Sequence, residues 1–169
     1  MRIINASYEI VGMIDPDLMI QNIERFGRVC YKSERNITED SSKAFVSRII
    51  SSGHESVIEH EKITVKFICD RGVSHEIVRH RIASYSQEST RYCNYAGKEL
   101  TFIRPSYWLE DSPEYALWLQ LMGEIETRYV EMISMGIPPE QARAILPNSL
   151  KTEIVVTIEM ETDQNLKSE

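Results

Sequence analysis

Alternating apolar and polar positions predict the strands of this chain. Within residues 61–69, Ile63, Val65, Phe67 and Cys69 fall on one face and Lys62, Thr64 and Lys66 on the other, which is typical of a half-buried strand. Residues 2–14 and 154–158 are rich in apolar and β-branched types and predict two more strands. Residues 84–92 are polar and rich in hydroxyl groups, which favours a loop that leads into a strand.

Helical spacing of apolar positions predicts the remaining elements. The predicted helices span residues 16–29, 38–52, 73–83, 112–135 and 138–146. Strands and helices mix without the regular alternation of a doubly wound sheet, so the pattern predicts the α+β class.

Length and composition refine this picture. A chain of 169 residues with 42% hydrophobic residues fits one domain, which we assign to residues 1–158, followed by a polar, acidic tail over 159–169. No apolar run reaches the length of about 18 residues that a membrane span needs, and no signal peptide is evident. We therefore expect a cytoplasmic protein with no membrane partner.

Charge and cysteine spacing exclude other classes. The net charge of −7 argues against a protein that coats nucleic acid, because such proteins neutralise phosphates with basic side chains. Cys30, Cys69 and Cys93 are widely spaced and form no CxxC pair, so we expect reduced thiols and no zinc site.

One basic cluster interrupts this acidic chain. Arg79, His80, Arg81 and Arg91 lie within thirteen positions, interleaved with serines and a threonine. Guanidinium groups and hydroxyls together favour an anion site, although a solvated basic helix end would have the same composition. Three consecutive basic residues point in three directions around a helix, so two ligands or two subunits are needed to engage them all.

A second polar segment contains two histidines. His54 and His60 are six positions apart, which does not match the HExxH spacing of a metalloprotease, and we expect no metal. A structural role is equally compatible with the spacing, with Glu55 and Glu59 capping a helix. Neither a nucleophile motif nor a glycine-rich phosphate loop is present, so a nucleotide cofactor cannot be held in a Rossmann or P-loop manner.

Three segments resemble flavin-dependent thymidylate synthases. The family pattern RHRxxSxNxxSxR is matched at Arg79, His80, Arg81, Ser84, Ser89 and Arg91, whereas Ser86 replaces its asparagine. Residues 54–60 resemble the HExxxEH segment, and residues 142–147 resemble the ARxxLP segment. The matches occur in the family's order and cover nearly the whole chain.

The resemblance implies a fold, a reaction and a set of ligands. The fold would be a mixed, largely antiparallel sheet flanked by helices, in a homotetramer with active sites between subunits. The enzyme would convert dUMP to dTMP, with methylenetetrahydrofolate as the methylene donor and FAD reduced by NADPH.

The same resemblance implies the site residues, although it leaves the catalytic residue unassigned. The FAD contacts would be His54, Ser56, Arg79, His80, Arg81 and Gln87, and the dUMP contacts would be Glu76, Arg79, Gln87, Ser89, Thr90, Arg91 and Arg143. Cys30 would line the flavin pocket. Glu76 and Gln87 stand where many relatives carry glutamine and glutamate, so an acid and an amide are exchanged.

The family's last helix carries an arginine that contacts the pyrimidine, and this helix is not found in residues 159–169. An alternative is therefore a catalytically impaired homologue that binds flavin or nucleotide. A third reading, an RNA-binding module, is disfavoured because stacking aromatics and net positive charge are both lacking.

Overall fold

The structure, a computed structural model, describes residues 1–160 as six strands and five helices. In chain order these are β1 (Arg2–Ile4), β2 (Ser7–Ile10), α1 (Pro16–Cys30), α2 (Ser41–Ser51), β3 (Lys62–Asp70), α3 (Arg71–Ile77), β4 (Ala83–Gln87), β5 (Thr101–Ile103), α4 (Pro113–Ser134), α5 (Pro139–Ala142) and β6 (Lys151–Glu159). Three 3-10 turns span Glu34–Asn36, Glu55–His60 and Arg143–Ile145. None of these helices is long and apolar enough to cross a membrane.

The strands form a mixed set of pairings. Four strands form one sheet in the order β2-β3-β6-β4, and β1 pairs with β5 in parallel. Contacts between β3 and β6 run in opposite sequence directions: the Met160 amide donates to the Glu61 carbonyl at 2.9 Å, and the Thr64 and Thr157 hydroxyls lie 2.9 Å apart. This pair is therefore antiparallel, and the predicted α+β class with a mixed, largely antiparallel sheet is confirmed.

The chain divides into two compact units. The larger unit contains Met1–Glu9, Val65–Arg81 and Tyr85–Val156, and the smaller unit contains Ile10–Thr64, Ile82–Ser84 and the residues from 157 onward. A single domain over residues 1–158 therefore stays a prediction.

The core of the larger unit lies under the long helix α4. The Ser112 hydroxyl accepts a hydrogen bond from the Tyr115 amide at 3.2 Å, and Pro113 starts the helix where a missing amide hydrogen costs nothing. The buried cluster consists of Leu100, Phe102, Trp118, Met122, Tyr129, Ala142 and Leu150. This cluster fixes the strands and loops that carry the candidate site.

The smaller unit packs α1 against α2. Asp15 caps α1 by accepting a hydrogen bond from the Leu18 amide at 3.0 Å. A Cβ on Gly27 would lie 2.7 Å from the Phe45 ring, so glycine permits the close approach of the two helices. The buried apolar side chains of this unit are Ile23, Phe45, Ile49 and Ile58.

Several predicted boundaries are wrong. The strand expected over residues 2–14 is two short strands, and the helix expected over 73–83 ends at Ile77, because the exposed basic residues that follow have no core face to bury. Strand β4 begins at Ala83, where we predicted the end of a helix and then a loop, and β5 was not predicted. Glu159 belongs to β6 rather than to a tail, and residues 161–169 lie outside the described part.

Candidate active site

The Arg-His-Arg segment lies in a tight turn after α3. The amides of Arg79 and His80 donate to the carbonyls of Glu76 and Ile77, both at 3.1 Å. The Tyr85 hydroxyl donates to the Ile77 carbonyl at 3.1 Å and also to the His80 carbonyl. Backbone contacts and one tyrosine therefore hold this turn.

The basic side chains of the turn face solvent. Arg79, His80 and Arg81 are all exposed. Arg79 Nη1 lies 2.9 Å from Glu76 Oε2, and both partners are more than 70% exposed, so this pair contributes little to stability. Arg81 makes no ion pair within residues 1–160. The turn thus presents guanidinium groups that a ligand can recruit at low cost.

Gln87 is fixed at the end of β4 by buried hydroxyl groups. Its Nε2 donates to Ser74 Oγ at 2.8 Å and to Thr152 Oγ1 at 3.2 Å. Ser74 and Thr152 are both fully buried. The amide nitrogen of Gln87 is therefore already hydrogen-bonded, and the two buried hydroxyls fix the orientation in which a ligand would contact this side chain.

Two arginines meet around the loop that follows β4. Arg143 Nη1 donates to Thr90 Oγ1 at 3.4 Å. The ARxxLP segment therefore contacts the segment that begins with Arg-His-Arg, although the two residues are 53 positions apart in the chain. Arg91 lies over the Tyr92 ring at 5.5 Å, and its amide donates to Ser89 Oγ at 3.3 Å. Neither arginine has a carboxylate partner among the described residues, so both guanidinium groups remain available to an anion.

Arg143 is positioned by its neighbours. Ala142 is fully buried in the core of the larger unit, which anchors the backbone directly before the exposed arginine. The Arg143 Nε donates to the Glu140 carbonyl at 3.2 Å. A buried alanine and a local hydrogen bond together direct this side chain toward Thr90.

A polar network next to this loop was missed by the sequence analysis. Glu88 accepts hydrogen bonds from Tyr95 at 2.9 Å and from Lys151 at 3.1 Å, and Lys151 also donates to Glu153 at 2.6 Å. Hydrogen bonds from Lys151 and Lys66 lower the pKa of Glu153, whereas burial and then Glu88 raise the pKa of Tyr95. The network borders a cavity of about 400 Å³. Its members come from distant parts of the sequence and carry no shared motif.

His54 and Ser56 belong to the smaller unit. His54 Nδ1 lies 3.0 Å from the Tyr31 hydroxyl, and the His60 ring packs against Phe26 with centroids 5.1 Å apart. Ser56 is exposed in the 3-10 turn. The two histidines of the HExxxEH segment therefore have different neighbours, and residues 1–160 contain no group of three potential metal ligands.

The cysteines differ in environment. Cys30 is exposed at the end of α1, Cys93 is half-buried, and Cys69 is buried. Burial raises the pKa of the Cys69 thiol to about 11, so this thiol stays protonated at neutral pH. None of the three forms a disulfide within residues 1–160.

Comparison with known proteins identifies relatives across most of the chain. Residues 15–166 match the Thy1 family, described as thymidylate synthase complementing protein. The flavin-dependent thymidylate synthase of Pyrococcus abyssi (strain GE5 / Orsay) is 41% identical over 132 residues, which cover 76% of this chain and 54% of that protein. That of Pyrococcus furiosus (strain ATCC 43587 / DSM 3638 / JCM 8422 / Vc1) is 38% identical over 141 residues, which cover 82% of this chain and 58% of that protein. The chain thus spans little more than half the length of these curated relatives.

A solved structure supports the fold. The crystal structure of the UMP/dUMP methylase PolB from Streptomyces cacaoi bound with 5-Br dUMP has a TM-score of 0.77 with this chain. The match covers 94% of this chain and 75% of the PolB chain, at 20% sequence identity. At this identity the likeness concerns the fold alone.

Proposed function

The chain belongs to the Thy1 family of flavin-dependent thymidylate synthases, and on that premise we propose that it converts dUMP to dTMP. The methylene donor would be methylenetetrahydrofolate, and the reductant would be FAD that NADPH has reduced. The observation that carries the proposal is the meeting of Thr90 and Arg143, which joins two separate family segments at one anion-binding loop.

The exposed basic turn fits a flavin nucleotide. FAD carries a pyrophosphate, and the Arg79 and Arg81 guanidinium groups match its charge and its fork geometry. Tyr85 holds their backbone, and the ion pair of Arg79 with Glu76 is exposed, so its replacement by a ligand costs little. The family resemblance further implies FAD contacts from His80, His54 and Ser56, with Cys30 lining the pocket.

The loop after β4 fits the nucleotide monophosphate. Arg91 and Arg143 supply two guanidinium groups without carboxylate partners among the described residues, and Ser89 and Thr90 supply hydroxyls beside them. Gln87 and Glu76 would contact the rest of the nucleotide. The amide of Gln87 and the carboxylate of Glu76 can still hydrogen-bond to a pyrimidine and so discriminate it. Because many relatives carry the acid and the amide at the opposite positions, the hydrogen-bond donor and acceptor are exchanged here.

A homotetramer would bring the proposed flavin contacts and the proposed dUMP loop together in one active site. The family resemblance implies active sites between subunits, and Arg79, His80 and Arg81 are all exposed. Active sites between subunits would let one subunit supply flavin contacts and another supply the dUMP loop. Light scattering on the purified protein tests this, and a monomer that binds flavin tightly contradicts it.

The chain's own residues would mainly bind and orient. When bound, the flavin supplies the redox chemistry. Arg91 and Arg143 would anchor the phosphate and thereby fix the pyrimidine, and preorganised donors would stabilise negative charge that develops on its carbonyl oxygens. No thiol is required, and Cys69 is unsuited to act as a nucleophile because its pKa is raised by burial.

Two binding measurements test the proposal. The wild type should bind FAD, seen as a visible absorption spectrum, and Arg79→Gln and Arg81→Gln should weaken that binding. Arg143→Gln should weaken dUMP binding by about 1.5 to 3 kcal/mol and leave FAD affinity nearly unchanged. Arg128→Gln serves as the control, because Arg128 is an exposed arginine on α4 that pairs with Glu131.

The outcomes separate the alternatives. No flavin binding by the wild type would refute the proposal. An impaired homologue would bind FAD and dUMP yet release no tritium from labelled dUMP in the complete assay mixture. The named synthases among the relatives favour an active enzyme over this alternative.

A further inference from the structure

A single glutamate joins the two ends of the loop that follows β4 and spans residues 88–95. Glu88 directly precedes three of the proposed dUMP contacts, residues 89–91, and Tyr95 follows them. The Tyr95 hydroxyl donates a hydrogen bond to Glu88 Oε1 at 2.9 Å. A side chain at the start of the loop is therefore tied to a side chain at its end, with the proposed ligand contacts between them.

Both ends of this loop are anchored within the larger unit. The Glu88 amide donates to the Glu153 carbonyl of β6 at 2.9 Å, and the Glu88 carbonyl accepts a hydrogen bond from Arg71 Nη1 at 3.3 Å. The Tyr95 amide donates at 3.5 Å to the hydroxyl of Tyr129, a fully buried residue of α4. The position of the loop is thus set by contacts at its two ends, and Glu88 takes part in most of them.

Lys151 neutralises the Glu88 carboxylate. Its Nζ lies 3.1 Å from Glu88 Oε2, and both side chains are 19% exposed. Burial lowers the pKa of Lys151, but its hydrogen bonds to Glu153 and Glu88 outweigh burial and raise this pKa above the ordinary value. Lys151 is therefore a cation at neutral pH. An unpaired negative charge beside a phosphate-binding loop would repel the ligand, so this pairing favours anion binding.

We propose that Glu88 is a positioning residue for dUMP, with Lys151 as its counter-charge. Glu88 acts through residues 89–91, which it holds in the arrangement that meets Arg143. A loop that is ordered before the ligand arrives loses less conformational entropy on binding, which favours affinity. The inference rests on the proposed dUMP binding and extends it to two residues that occupy no fixed position of the family pattern.

Calorimetric titration of the full chain with dUMP, at saturating FAD, tests this role. Glu88→Ala removes the tie between the two ends of the loop and should weaken dUMP binding about tenfold or more, because the loop must then become ordered on binding. Glu88→Gln keeps groups that can hydrogen-bond to Tyr95 and Lys151, so it should retain most of the affinity. Lys151→Met leaves the Glu88 charge unpaired and should also weaken dUMP binding. FAD affinity should stay unchanged in all three variants.

Glu126→Ala is the matched control for a general loss of stability. Glu126 is 22% exposed, pairs with the N-terminal amine at 2.8 Å and accepts a hydrogen bond from the Leu100 amide at 2.8 Å. Its burial is similar to that of Glu88, but both of these partners lie outside residues 88–95. The control should therefore lower the urea midpoint and leave dUMP affinity unchanged.

Hydrogen exchange of the ligand-free protein reports on the loop itself. The Cys93 amide donates to the Ser89 carbonyl at 2.9 Å, so the ordered loop protects it from exchange. Amides of residues 90–95 should exchange faster in Glu88→Ala than in the wild type, and Glu126→Ala should not have this effect.

The outcomes separate this inference from the proposed function. If the wild type binds dUMP and Glu88→Ala binds it equally well, the positioning role is wrong and the proposed function stands. The same holds if the loop amides exchange no faster in Glu88→Ala, or if Glu126→Ala loses as much dUMP affinity. A wild type that binds no dUMP would refute the proposed function and this inference with it.

Discussion

The buried ion pair of α1 permits a quantitative prediction. Glu24 is 1% exposed and accepts three hydrogen bonds, two from Arg28 and one from Ser41. Glu24→Ala leaves the Arg28 charge buried without its partner, which should lower the free energy of unfolding by about 3 to 5 kcal/mol. That is a large fraction of the roughly 5 to 15 kcal/mol of a typical domain. Urea denaturation followed by circular dichroism, at one protein concentration, measures the loss.

The matching double variant tests the reason for this loss. Glu24→Leu combined with Arg28→Met removes both charges and keeps apolar volume, so it should recover most of the stability that Glu24→Ala loses. The exposed pair of Arg128 and Glu131 is the control, and Arg128→Ala should leave the urea midpoint unchanged within error. A loss below about 1 kcal/mol in Glu24→Ala, or a double variant as unstable as the single one, would refute the argument from an uncompensated buried charge.

Three further predictions concern thiol reactivity, acid stability and helix packing. At pH 8, a disulfide reagent should modify exposed Cys30 rapidly and Cys69 only on unfolding, because burial raises the Cys69 pKa to about 11; a fast phase that Cys69→Ser removes would contradict this. Glu153→Gln should cost stability above the ordinary glutamate pKa, and the difference from wild type should vanish as pH falls through the lowered folded pKa, as thermal unfolding across pH 3 to 7 would reveal. Gly27→Ala should lower the free energy of unfolding by about 1 to 3 kcal/mol, because its Cβ would collide with the neighbouring helix; an unchanged urea midpoint would show that the helices can separate without cost.

The long periodic elements could be predicted from the sequence. Helices α1 and α4 and strand β3 lie within two residues of their predicted bounds, because their sequences show a clear apolar period and the helices have Asp15 or Ser112 as caps. Strand β5 spans only Thr101–Ile103, which is too short to show a period. The helix before the basic turn was predicted too long, because residues 78–83 contain apolar side chains at helical spacing that the structure leaves mostly exposed.

Residues of the candidate site could be named from the sequence where a motif contained them, but not where only tertiary contacts bring them together. Arg143 and Thr90 were both named from separate family segments, and the structure brings them together. Glu88 and Lys151 were not named, since they are 63 positions apart and neither has a local pattern.

In the basic turn, the group that holds the backbone differs from the groups proposed to bind a ligand. Ile82, a β-branched residue, adopts a positive φ of 66° directly after the Arg-His-Arg segment, a conformation that such residues rarely tolerate. The contacts that the Tyr85 hydroxyl makes with two backbone carbonyls can offset this strain. Gln87 repeats the arrangement, since the buried Ser74 and Thr152 fix it from beneath. An unusual backbone conformation therefore occurs next to the proposed ligand sites, and uncharged hydroxyl groups stabilise the residues around it. The Arg79 guanidinium pairs with Glu76, and because both partners are exposed, a ligand can replace this contact at little cost.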